Sequence, residues 1–74
     1  MKKPQTELIL DYINEFGSIT QKTAYDLFGC MRLGARIHDL RSVGHDIETK
    51  METKNNRFGV PTTYARYYID EEAI

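Results

Sequence analysis

Apolar residues along the first third of the chain recur with a helical period. Leu8, Ile9, Tyr12, Ile13 and Phe16 fall at i, i+1, i+4, i+5 and i+8, which places them on one face of a helix over about residues 4–16. Pro4 suits the first turn, and Gly17 suits the cap because it takes positive φ without strain. Ser18-Ile19-Thr20 is short and β-favouring. Thr20 is placed to cap a second helix over about 21–28, with Ala24, Leu27 and Phe28 facing inward and Gly29 ending it. A third helix, about 31–43, carries Leu33, Ile37 and Leu40 as a narrow inner stripe; Arg32, Ala35, His38, Asp39 and Ser42 occupy the opposite face, and Gly44 closes it.

After Gly44 the period drops from 3.6 to 2. Ile47, Thr49, Met51 and Thr53 alternate with Asp46, Glu48, Lys50 and Glu52, which predicts a half-buried strand over about 46–53. Lys54 to Pro61 is rich in turn formers and reads as a long, mobile loop. Residues 62–69 are dense in β-branched and aromatic side chains and read as the return strand, with Ala65, Tyr67 and Ile69 on one face and Tyr64, Arg66 and Tyr68 on the other. Residues 70–74 read as a frayed acidic tail. Three helices, a β stub after the first and a C-terminal two-stranded hairpin make an α+β winged helix, in which the second and third helices form a helix-turn-helix and the hairpin is the wing.

Composition fits one small domain spanning residues 1–74. Its 74 residues are 41% hydrophobic and 28% charged, ordinary for a globular chain. No apolar run reaches the ~20 residues that span a bilayer, and the charged start reads as no signal segment, so a cytoplasmic protein is expected. The formal net charge of −1 counts against nucleic-acid binding. Its distribution qualifies that, since residues 17–69 carry +3 while residues 1–16 carry −1 and residues 70–74 carry −3.

The segments GSIT (17–20), RLGARIHDLR (32–41), GHDI (44–47) and YARYYI (64–69) resemble a family of small helix-turn-helix proteins of bacteriophages and prophages. That resemblance covers roughly residues 6–69. It implies a winged-helix fold and DNA binding; the expected function is that of a sequence-selective or architectural double-stranded DNA-binding protein, a transcriptional regulator or a recombination accessory factor.

The residues themselves point the same way. A helix fits the major groove, so Arg32, Ala35, His38, Asp39 and Ser42 are candidates to face bases; Asp39 needs an arginine partner or a cytosine amino group. Arg36 and Arg41 flank the apolar stripe and either pair with a carboxylate such as Asp39 or Asp46 or reach a phosphate. Gln21 and Lys22 sit at a helix N-terminus, where N–H groups favour a phosphate. Lys54, Asn55, Asn56 and Arg57 offer the wing to the backbone or the minor groove, and Lys50 and Arg66 extend that basic surface.

Catalysis and metal binding are not expected. Cys30 and His38 are the one nucleophile–base pair worth naming, and eight helical residues separate them by ~12 Å. Cys30, His38 and His45 match no zinc spacing, and no cofactor is implied. A homodimer is possible, though no dimer face is evident. The net charge, Asp39 and the tyrosine-rich last strand also suit an alternative, an interaction module for a host or phage protein.

Overall fold

The computed structural model describes residues 3–69. The elements run α1 (Gln5–Phe16), β1 (Ser18–Thr20), α2 (Gln21–Phe28), α3 (Leu33–Ser42), β2 (Ile47–Asn55) and β3 (Pro61–Ile69). The expected tail, 70–74, lies outside the described residues. The order and kinds of element match the α+β winged-helix expectation.

Glycines set the boundaries where expected. Gly17 and Gly29 adopt left-handed conformations, φ 94° and 65°, as caps of α1 and α2. There an added Cβ costs strain even though space is open. Thr20 caps α2 by accepting from the Thr23 N–H.

Ile9, Ile13, Ile19, Ala24, Cys30, Leu33, Ile37, Leu40 and Ile47 form the buried core, with Tyr12, Phe28, Tyr67 and Ile69 packed against it. The inner stripe of α3 is fully realised. The inward face of α2 is narrower than expected. Leu27 is 59% exposed, because Tyr12 meets Phe28 edge-on and Phe16 at 4.6 Å. That aromatic cluster closes the α1–α2 seam and leaves Leu27 on its rim. Phe16 is exposed as well, although it lies on the apolar face of α1.

The third helix begins at Leu33 rather than Met31. Its start is fixed from outside: the Gln21 side chain accepts from the Leu33 N–H at 2.8 Å and donates to the Cys30 carbonyl at 2.6 Å. Met31 therefore lies in the turn, 77% exposed. Within α3, Gly34 has ordinary helical φ, and a Cβ there would meet Tyr67 Oη at 3.7 Å, an unstrained contact. Gly34→Ala is therefore expected to stabilise the fold by about 0.5–1 kcal/mol, because it removes unfolded-chain freedom without strain. Chemical denaturation checks this, and a lowered midpoint would refute it.

The β stub becomes a third strand. Sheet order is β1-β3-β2, all antiparallel, with Ile19 opposite Tyr67 and Ile47 opposite Ile69. Both hairpin strands are longer than the expected 46–53 and 62–69, and the connection shrinks to residues 56–60. Asn56 organises it. Its Oδ1 accepts from the Phe58 and Val60 N–H groups at 2.9 and 3.1 Å, while its own N–H donates to the Val60 carbonyl. Pro61 belongs to β3, opposite Asn55. It is tolerated because β1 pairs only with Arg66–Tyr68, so among the described residues β3 has no second neighbour at Pro61.

The half-buried pattern expected for β2 holds only at Ile47; Thr49, Met51 and Thr53 are exposed. Beyond Ile47 the odd-numbered side chains of β2 leave the core, to which the hairpin contributes instead through Tyr67 and Ile69 of β3.

Candidate nucleic-acid interface

The starts of α2 and α3 meet at one side chain. Gln21 opens α2, yet its amide holds both the Cys30 carbonyl and the Leu33 N–H. Its two polar ends thus fix the turn of the helix-turn-helix, so the segment beside them is positioned by Gln21 rather than left to the intervening loop.

The same residue borders a cleft of about 260 Å³ lined by Thr20, Gln21, Lys22, Lys54, Tyr64 and Arg66. One wall is the start of α2 and the other is the outer face of the hairpin. The walls are joined by the β1–β3 pairing, which sets Thr20 opposite Arg66. Arg66 is anchored there: its Nε donates to Glu52 at 2.8 Å and its guanidinium also donates to Ser18 Oγ at 3.0 Å.

Among the described residues, Arg32, Lys50, Lys54 and Arg57 have no ion-pair partner. Lys22 makes only a long, exposed pair with Asp26 at 3.4 Å, of a kind that contributes little and is readily exchanged for a stronger anion.

On α3, Arg32 is the exposed residue just before the helix. Ala35 is half-buried, and His38, Asp39 and Ser42 are exposed. Asp39 takes an arginine partner, Arg36, at 3.3 Å, which moderates its repulsion of phosphate. Ser42 Oγ donates back to the His38 carbonyl. Arg41 serves the fold through an acceptor other than a carboxylate. Its guanidinium donates to the Ile47 carbonyl at 2.9 and 2.6 Å and to Thr49 Oγ1, locking α3 onto the first residues of β2.

On the wing, Lys54, Asn55, Asn56 and Arg57 are all exposed. The Asn56 carbonyl oxygen is engaged inside the turn. Phe58 stands beside Arg57 at the tip, 81% exposed.

Tyr64 and Arg66 were not among the strongest sequence candidates, yet both line the cleft. Their place depends on β1 joining β3, a contact spanning 48 residues between Ser18 and Arg66. The one available signal was the β-favouring Ser18-Ile19-Thr20 segment, which asks for a strand partner.

The Glu52–Arg66 pair ties the cleft wall to pH. Hydrogen bonding to Arg66 holds the Glu52 carboxyl below the ordinary glutamate range, against an opposing effect of desolvation. A carboxyl depressed in the folded state stabilises above its unfolded pKa of ~4.3. That contribution is lost as pH falls through the lower folded value. Glu52→Gln should therefore flatten the loss of thermal stability below about pH 4.3. Superimposable pH profiles for the two proteins would disprove the coupling.

No group of three or more His, Cys, Asp or Glu among the described residues is placed to hold a metal ion. No helix among them is long and apolar enough to cross a membrane. A search of curated proteins returned no match. Residues 4–72 match the family described as the winged helix-turn-helix domain. With the match spanning nearly all of the chain, and with a helix-turn-helix followed by a β-hairpin in the structure, the chain belongs to the winged helix-turn-helix family.

Proposed function

We propose that the protein binds double-stranded DNA, with α3 in the major groove and the hairpin on the adjacent backbone or minor groove, to control transcription or to assist recombination. The observation that carries this reading is the convergence on Gln21. One side chain links the starts of α2 and α3 and borders the cleft that Lys22, Lys54 and Arg66 share.

Phosphate suits that cleft chemically. N–H groups at the start of α2 point outward with the positive end of the helix dipole, and the flanking ammonium groups add charge. Arg32, at the start of α3, is the leading candidate for base contact, with Ala35, His38 and Ser42 behind it and Asp39 held by Arg36. The net charge of −1 is no obstacle when Lys22, Lys54 and Arg66 border one cleft and the acidic segments lie at the chain ends.

A salt titration tests the reading. Binding to random-sequence duplex at low salt should weaken steeply as salt rises, with a log–log slope of about −3 to −4 for roughly four neutralised phosphates. Absence of retardation at low salt would overturn it.

A further inference from the structure

The sheet ends in an unpaired edge. With the order β1-β3-β2, the outer side of β2 has no neighbouring strand among the described residues. Arg41 covers its beginning by capping the Ile47 carbonyl and Thr49 Oγ1. From Thr49 to Asn55 the edge is open.

Which backbone groups face outward follows from the hairpin. The Asn56 N–H donates to the Val60 carbonyl across the loop, and the β2–β3 register is unbroken from Asn55–Pro61 to Ile47–Ile69. Alternation then turns the N–H and C=O of Glu48, Lys50, Glu52 and Lys54 toward β3. Those of Thr49, Met51 and Thr53 turn outward, and the outward Ile47 carbonyl held by Arg41 agrees with this parity.

The side chains on this edge alternate in charge. Glu48, Lys50, Glu52 and Lys54 share one face and read −, +, −, +; Thr49, Met51 and Thr53 share the other. We infer that β2 pairs antiparallel with β2 of a second copy of this chain about a two-fold axis between the two Met51 residues, forming a continuous six-stranded sheet.

In that register Glu48 faces the second copy's Lys54, and Lys50 faces its Glu52. Thr49 faces Thr53, so the outward amides and carbonyls of Thr49, Met51 and Thr53 all meet partners. Met51, 61% exposed in the single chain, covers its own counterpart. Neighbouring registers are rejected. A two-residue shift sets Lys50 against Lys50 and Glu48 against Glu52, or Glu52 against Glu52 and Lys50 against Lys54. A one-residue slip opposes outward amides to inward ones. Charged residues on an edge usually forbid pairing; here their alternation rejects the neighbouring shifts, and the arrangement about Met51 makes more opposite-charge pairs than a four-residue shift, which keeps only Glu52 against Lys54 or Glu48 against Lys50. The contact is small and belongs to the weak, transient class.

Sedimentation equilibrium of the full chain from about 10 μM to about 1 mM should show a reversible dimer. Glu48→Lys opposes like charges at two symmetric places and should raise the dimer Kd about tenfold or more. Adding Lys54→Glu in the same chain should restore it. Both positions are exposed, and circular dichroism verifies that the variants fold. Met51→Cys should form an interchain disulfide on mild oxidation, since directly paired Cα atoms lie ~5.5 Å apart. Thr53→Cys should not, and buried Cys30 does not compete. A chain that stays monomeric at ~1 mM, a dimer indifferent to Glu48→Lys, or equal crosslinking at positions 51 and 53 would each overturn the proposal.

Discussion

Replacing Leu33 by alanine is expected to lower the unfolding free energy by about 2–5 kcal/mol. Leu33 is completely buried and lies where three constraints meet. It is the first residue of α3, it leads the Leu33–Ile37–Leu40 stripe, and its N–H is held by Gln21. Collapse around a truncated side chain is therefore hindered on the α2 side, and the upper part of the range applies. A domain of this length has a total stability of only ~4–11 kcal/mol. The variant should melt more than ~10 °C below the parent, on the usual ~4–8 °C per kcal/mol for small domains. Leu27→Ala removes the same atoms from an exposed position and should change stability by no more than ~0.5 kcal/mol. Urea denaturation of the pair decides the matter. A Leu33→Ala cost under ~1 kcal/mol would mean that the helix-turn-helix does not depend on this anchor.

Those two leucines also mark how far the chain's pattern reveals its fold. Both lie at apolar helical positions, and periodicity alone assigns both inward. Periodicity describes one helix at a time. The width of a buried face depends on what packs against it, and Tyr12, Phe16 and Phe28 close the α1–α2 seam before Leu27 reaches it. Element types and stops were legible because they are local: Gly17 and Gly29 each terminate a helix through their own φ. The β2 alternation named a strand correctly and misjudged its burial, because threonine suits both a buried and a solvated face and nothing local says where the core ends. In the candidate interface, Lys22, Arg32, Lys54 and Arg57 were visible as individual cations. That Lys22 and Lys54 border one cleft follows from pairing between residues nearly fifty positions apart, and no short window of sequence carries that information.

The proposed interface should separate into two kinds of contact when probed by substitution. Arg32 precedes α3, where a side chain enters the major groove first, and it has no ion-pair partner among the described residues to release before binding. Arg32→Ala is expected to weaken binding to a selected target by about 10–100-fold, equivalent to ~1–3 kcal/mol, while affinity for random duplex changes much less. Lys54 lies on the cleft wall opposite Lys22 and is suited to a phosphate, which carries no sequence information. Lys54→Ala should weaken binding to every duplex by a similar factor and make the salt slope shallower by about 1. The two readouts are independent, so each substitution controls for the other. Neither exposed side chain supports the core, so thermal stability should stay within ~0.5 kcal/mol of the parent. If Arg32→Ala reduced target and random binding equally, the major-groove role of α3 would fail even with DNA binding intact. If Lys54→Ala left the slope unchanged, Lys54 would not be a phosphate contact, and the wing's basic contacts would have to come from Arg57 at the tip or Lys50 nearer the helices.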